Sequence, residues 1–248
     1  MSNIIVQKYG GSSLSNLEEI KFVAKKIKGS LKNSNKIVIV VSAMGNTTDE
    51  LVKLGESFLK NNNEIDNLRD FDQLLSTGEI ISASLMSMSL REISVNAISL
   101  TGQKAGIFTD DLHGSARISS IDKKVILNEL TERDVVIVAG FQGVSEYGEV
   151  TTLGRGGSDT TAVAIASALN AKRCEIYTDV KGIFTADPRL VNDGKLTLTP
   201  GKLTCLLEPS LPPSITSHKR VSSSLVITLK FIRPLSTEIL EPSFTDEI

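Results

Sequence analysis

An unbroken apolar run, Ile37-Val38-Ile39-Val40-Val41, leaves few folds open to this chain. A strand that is β-branched on both faces has no side suited to water, and such strands occur in parallel sheets covered by helices above and below. The run Ile4-Ile5-Val6 and residues 95–100, 135–139 and 173–178 read as further core strands. Helical patterns separate them. Leu17, Ile20, Val23, Ala24 and Ile27 share one face of a first helix, which a Ser15/Glu18 capping-box pattern opens. Lys21, Lys25, Lys26 and Lys28 populate its solvated side. A second helix is expected from about Asp49 to Leu59 and a long one over 74–90, while Asn61-Asn62-Asn63 reads as a surface loop. The alternation predicts an α/β fold, an open, mainly parallel sheet with helices on both faces.

Two glycine-rich turns interrupt this pattern. The first, Lys8-Tyr9-Gly10-Gly11-Ser12-Ser13, follows the first strand and carries one distinctive charge, Lys8. The second runs from Thr151 to Thr161 through Gly154, Arg155, Gly156 and Gly157, and Ser158 or Asp159 then caps a helix. Open backbone N–H groups, a helix dipole and Arg155 around one small space suit negative charge, although such a turn also serves as a plain tight connection. Ser42 ends the apolar run, at the carboxyl edge of the sheet where ligands of open α/β folds collect. Glu79 has Leu75, Ile80 and Ala83 as neighbours and fits a carboxylate drawn inward; an exposed helical glutamate is the commoner state, and spacing alone does not decide between them.

Other chemistries find little support. With 27 basic and 29 acidic residues the chain lacks the basic excess of a nucleic-acid binder, and it has no Trp for base stacking. Cys174 and Cys205 form neither a metal spacing nor a disulfide framework, which points to a reducing cytoplasm. No stretch has membrane-spanning length and the first residues lack a signal-peptide pattern. His113 and His218 have no evident partner, and the Asp110-Asp111 pair reads as solvated turn residues. Neither a G-x-x-x-x-G-K-[ST] loop nor the H-R-D and D-F-G pair occurs.

Lys8-Tyr9-Gly10-Gly11-Ser12-Ser13, the turn from Thr151 to Thr160 and the segment from Tyr177 to Arg189 together closely resemble the catalytic domain of aspartate kinases, members of the amino acid kinase family. The stretches from Leu74 to Glu79 and from Thr101 to Ile107 match as well, so the resemblance covers roughly residues 3 to 195. It implies an αβα sandwich and transfer of the ATP γ-phosphoryl group to the side-chain carboxylate of L-aspartate, with Mg²⁺ accompanying the nucleotide. By the same resemblance Lys8, with the N–H groups of Gly10 and Gly11, neutralises the transferring group, and Asp159 orients the lysine and the Mg²⁺-linked groups. Glu79 takes the ammonium of aspartate and Arg155 its α-carboxylate, a bidentate task. Ser12, Ser42 and Ser158 add neutral contacts. Thr178, Asp179, Phe184, Arg189 and Lys195 match the nucleotide-binding segment. The implied partners are small molecules, with no nucleic acid and no membrane, and room is left for a homo-oligomer. The alternatives are a kinase acting on acetylglutamate, glutamate or uridine monophosphate, or a non-catalytic ligand-binding protein.

The chain divides into a catalytic domain, 1–195, and an atypical segment, 196–248. Six of the seven prolines lie from Pro200 onward, no alanine follows Ala186 and no glycine follows Gly201. Leu206 to Pro213 cannot form the helix that the family carries here, because its prolines lack donors and clash with preceding carbonyls. Residues 222–232 retain strand character. The segment is either a divergent folded end or an altered reading, for example by frameshift, and no ACT domain is expected.

Overall fold

A computed structural model describes residues 4–31, 36–59 and 65–178, together with the backbone of 183–184, 196–198, 202–203 and 227–231. The first half of the chain runs β1 (Ile4–Tyr9), a 3-10 turn (Gly11–Leu14), α1 (Leu17–Ser30), β2 (Lys36–Val41), α2 (Thr47–Leu59), α3 (Ile65–Glu92), β3 (Ala97–Leu100), β4 (Ile107–Thr109) and β5 (Ile118–Ile121). It continues with α4 (Lys123–Glu132), β6 (Val135–Ala139), β7 (Gln142–Val144), β8 (Val150–Thr152), α5 (Gly157–Ala168) and β9 (Arg173–Thr178). Among the described residues four short strands follow: β10 (Ile183–Phe184), β11 (Leu196–Leu198), β12 (Lys202–Leu203) and β13 (Ile227–Phe231).

The main sheet has the order β12-β13-β9-β1-β2-β6-β3 and is parallel except for β12. As expected, the β2 run is buried on both faces. Ile37, Ile39 and Val41 join Ile20, Val23, Met86 and Leu90 beneath α1 and α3, while Val38 and Val40 join Ile126, Ala162 and Ile165 beneath α4 and α5. Each buried Val, Ile, Leu or Met among them contributes about 1.5–3 kcal/mol relative to exposure. The α/β sandwich is the predicted one. From β1 the chain moves to β2, β3 and β6 on one side and returns to β9 on the other. The order therefore reverses at β1, and the crevice outside its carboxyl end, where Lys8 lies, is where a ligand is expected.

Several local expectations need correction. Asn16, not Ser15, caps α1 by accepting from Glu19 N, and Leu17 is exposed rather than part of the buried face. Lys26 lies 4.7 Å from the centre of the Tyr177 ring, and Lys28 donates to the Ile93 carbonyl at 2.6 Å, so these two lysines are not simply solvated. The long helix starts at Ile65, about two and a half turns before the expected start at Leu74, and α2 starts at Thr47. The second sheet, β5-β4-β7-β8, escaped the sequence pattern because its strands have three or four residues, too few for a period-2 signal. Within residues 222–232, read as a strand, 227–231 pair in parallel with β9. The Asn61-Asn62-Asn63 loop, Cys205, His218 and the proline-rich 206–213 lie outside the described residues.

Candidate active site

The carboxyl end of β1 builds the first wall. Lys8 Nζ passes 3.5 Å from the point where a Cβ on Gly10 would sit, and the extended Gly10 then leads into the 3-10 turn. A Cβ on Gly11 would lie 2.8 Å from the Ala43 carbonyl and 3.0 Å from that of Gly45, and Gly45 N donates to Gly11 O at 3.0 Å. Only glycine lets this turn sit so close to residues 42–45. Ser42 N donates to Tyr9 O at 3.1 Å, which brings Ser42 beside the same turn; Ser12 is exposed on it.

Helix α3 supplies the second wall. A Cβ on Gly78 would lie 2.8 Å from the Ala43 methyl group, so α3 packs directly on the loop after β2. Glu79 is drawn inward, which settles what its spacing left open. It is 3% exposed, and its Oε1 accepts from Ala43 N at 3.0 Å. Its Oε2 is buried and has no hydrogen-bond partner among the described residues. Burial pushes the Glu79 carboxyl up to about 7, against the opposing pull of the Ala43 hydrogen bond. A buried carboxylate with one unused oxygen is a receptor for a cationic donor.

The third wall is the second glycine turn. Gly154 and Gly156 have φ of +72° and +77°, the left-handed region that side chains disfavour. Gly156 is itself the N-cap of α5 and no side chain caps the helix, which corrects the expected role of Ser158 or Asp159. Gly157 N and Asp159 N donate within the turn, so two of the amides expected to be open are engaged. Positive charge comes instead from side chains. Asp159 Oδ1 lies 2.8 Å from Lys8 Nζ, joining the two glycine turns across the carboxyl edge of the sheet. Arg155 is exposed and makes no ion pair among the described residues. Ser158 is buried, and its Oγ would lie 2.8 Å from a Cβ on Gly140 at the end of β6.

Lys8, Gly10, Gly11, Ser12, Ser42 and Glu79 are thus linked through residues 42–45, and Asp159, Ser158 and Arg155 join them through the Lys8 ion pair. Of the expected nucleotide segment, Thr178 ends β9 and Phe184 falls in β10; their side chains, and Asp179, Arg189 and Lys195, lie outside the described residues. A cleft of about 560 Å³ is lined by Ser12, Ser15, Met44, Gly45, Asn46, Thr47 and Glu50. Neither Lys8, Glu79 nor Arg155 lines it, so the charged groups rather than this cleft define the site.

Sequence reasoning missed two features. Phe141 adopts φ +67°, and its ring would lie 2.8 Å from a Cβ on Gly157, so a strained residue sits against the second turn. His113 is not partnerless, since its Nδ1 lies 2.8 Å from Asp72 Oδ2. The pairing spans 41 residues, and no local pattern announces it. Asp110 behaves as expected, accepting from Leu112 N and Arg117 N in an exposed turn.

Known proteins resemble the chain in sequence and in fold. The Amino acid kinase family model matches residues 3–198. An aspartokinase from Geobacillus stearothermophilus is 54% identical over 192 residues, which make up 77% of this chain and 46% of that protein. The chain therefore spans about half the length of the curated relatives it matches. A crystal structure of aspartate kinase from Synechocystis superposes with a TM-score of 0.61 at 50% identity, covering 77% of this chain and 31% of that one. E. coli aspartokinase III, solved with aspartate and ADP, superposes with a TM-score of 0.63 at 30% identity over 78% of this chain and 53% of its own. By fold, by glycine turns and by the match over most of its length, the chain belongs to the amino acid kinase family.

Proposed function

We propose that this chain carries the catalytic domain of an aspartate kinase, which transfers the γ-phosphoryl group of ATP to the side-chain carboxylate of L-aspartate. The observation that carries this is the Lys8–Asp159 ion pair, which holds an ammonium group between two glycine turns at the carboxyl edge of the sheet. An oxygen of the acceptor carboxylate attacks the γ-phosphorus, the bond to the β,γ-bridging oxygen breaks, and ADP leaves with that electron pair. The product is an acyl phosphate, 4-phospho-L-aspartate. A carboxylate is already ionised at neutral pH, so no general base is required. The protein's task is to hold charge in line.

Lys8 offsets charge on the transferring group, assisted by the N–H groups of Gly10 and Gly11, and Asp159 keeps the lysine aimed. Glu79 receives the ammonium of aspartate on Oε2, Arg155 receives its α-carboxylate, and Ser12, Ser42 and Ser158 add neutral hydrogen bonds. Thr178, Asp179, Phe184, Arg189 and Lys195 serve the nucleotide. No group of three or more His, Cys, Asp or Glu side chains among the described residues is arranged to hold a metal. Mg²⁺ commonly arrives on nucleotide phosphates and takes one or two carboxylates, and the half-exposed Asp159 would orient the groups linked to it. When bound, the ion supplies neutralisation of phosphate charge.

The enzyme would act in the cytoplasm at the start of aspartate-derived amino acid synthesis, on small molecules, with homo-oligomerisation allowed. No helix among the described residues is long and apolar enough to cross a membrane. We read 196–248 as an atypical segment, either a divergent folded end or an altered reading, for example by frameshift; the family match ends at residue 198, and sequencing the encoding DNA separates the two. Nucleotide-product analysis tests the function. ADP release that depends on L-aspartate supports it, and release that depends on acetylglutamate, glutamate or uridine monophosphate replaces it with a sister activity.

A further inference from the structure

Outside the groups already assigned, one buried charge stands out. Asp72, in α3, is 0% exposed, yet its carboxylate is surrounded by donors from two other parts of the chain. Gly114 N donates to both oxygens, at 3.1 and 3.0 Å, His113 Nδ1 approaches Oδ2 at 2.8 Å, and the Thr152 hydroxyl donates to Oδ1. A carboxylate that accepts from Gly114 N and the Thr152 hydroxyl accepts from His113 in the tautomer that carries its proton on Nδ1. A charge in such a place is retained when its donors satisfy it, and it then ties together the elements that carry those donors.

Those elements are the two approaches to the second glycine turn. Thr152 ends β8, two residues before Gly154, and the Gly114 carbonyl would lie 3.4 Å from a Cβ on Gly154. Ala116 N donates to Thr152 O at 2.8 Å, which locks the 113–116 loop to β8. A second tie comes from Gln142 Nε2, which donates to the Ser76 carbonyl of α3 at 2.8 Å. Asp72 and Glu79 are seven residues apart on one helix, hence on one face and about 10 Å apart along its axis. One end of this stretch is bonded to the 113–114 loop and to Thr152, just before the turn that bears Arg155, and the other seats Glu79 on Ala43.

We propose that Asp72 and His113 are a positioning pair that anchors the 154–157 turn to α3 and so fixes Arg155 relative to Glu79, the two groups assigned to the charged ends of the amino acid. The functional half of this rests on the aspartate kinase proposal; the anchoring half does not. Neither residue is assigned contact with substrate. Their effect is on where Arg155 waits before the amino acid arrives.

Paired variants of the full chain test this with two measurements, because Asp72→Asn alters a wholly buried site and endangers the fold. His113→Ala removes the donor, whereas His113→Asn returns an N–H near the Nδ1 position. In His113→Ala, amide exchange at 153–157 accelerates by about tenfold while β6 exchange stays as it was. The KM for aspartate rises by about tenfold and that for ATP changes by less than about twofold. His113→Asn recovers both. Unchanged exchange at 153–157 overturns the anchoring whatever the turnover. Equal rises in both KM values, or an Asn variant no better than Ala, overturn the positioning role. A loosened turn in a chain that never phosphorylates aspartate overturns the kinase proposal and leaves the anchoring supported.

Discussion

Lys8 Nζ and Asp159 Oδ1 lie 2.8 Å apart although 151 positions separate them, and the contact joins the end of β1 to the first turn of α5. The lysine side chain is largely covered and the aspartate is half open to solvent. An ammonium held this way stays aimed at the space between the glycine turns. Lys8→Ala is expected to lower kcat by about 10²–10³-fold or more, the scale of losing one electrostatic contact to a developing charge. Because Asp159 retains access to water, the fold should survive; circular dichroism and thermal melts check this beside the kinetics. Turnover close to wild type would remove Lys8 from the mechanism.

Arg155→Lys keeps the charge and loses the planar fork. If Arg155 grips the α-carboxylate of aspartate, the KM for aspartate rises by about tenfold and that for ATP stays nearly unchanged. Steady-state kinetics with each substrate varied in turn measure the split. Equal effects on both would assign Arg155 to phosphate.

Glu79 makes a pH-dependent prediction whose sign follows from its raised carboxyl. Folded Glu79 titrates near 7 against an ordinary 4.5, so the folded state holds the extra proton between these values. Its contribution to stability is therefore greatest below about 4.5 and is lost as pH rises through about 7. Glu79→Gln keeps an acceptor for Ala43 N and removes the charge. In urea melts at pH 8 the variant should be more stable than wild type by up to about 3 kcal/mol, with the difference vanishing near pH 4. An ammonium on Oε2 favours the ionised form, so aspartate binding near pH 7 should release protons in wild type and none from this site in the variant. Calorimetry in buffers of different ionisation enthalpy reads that release.

Gly11→Ala addresses the first turn without touching charge. The new methyl group meets two backbone carbonyls, at 2.8 and 3.0 Å, which cannot swing aside as a flexible side chain would. A loss of about 1–3 kcal/mol is expected by denaturant titration, together with reduced turnover because residues 42–45 must shift.

Much of this arrangement was legible in the sequence because it is written in local patterns. The Ile37 to Val41 run dictates a doubly covered strand, and the strand-glycine-helix unit that begins with β1 places Lys8 at the carboxyl edge of the parallel sheet, whereas the second glycine turn follows β8 of the smaller sheet. What stayed hidden depends on contacts across long separations. Whether Glu79 faces in or out is set by Gly78 packing on Ala43, and the partner of His113 sits on a helix 41 residues earlier. The α5 cap departs from its sequence pattern for a different reason. Serine and aspartate are good caps, but Gly156 already turns the backbone into the helix, and Asp159 is drawn to Lys8 instead. The Asn16 cap shows the limit of capping patterns, since two neighbouring polar residues differ only in which one the chain presents.

The most direct test of the central claim is trapping of the acyl phosphate with hydroxylamine, using the purified full chain with ATP, Mg²⁺ and L-aspartate. Formation of β-aspartyl hydroxamate that needs all three components and disappears in Lys8→Ala is the expected result. No hydroxamate from folded protein, or one that forms with a different acceptor in place of aspartate, would contradict it.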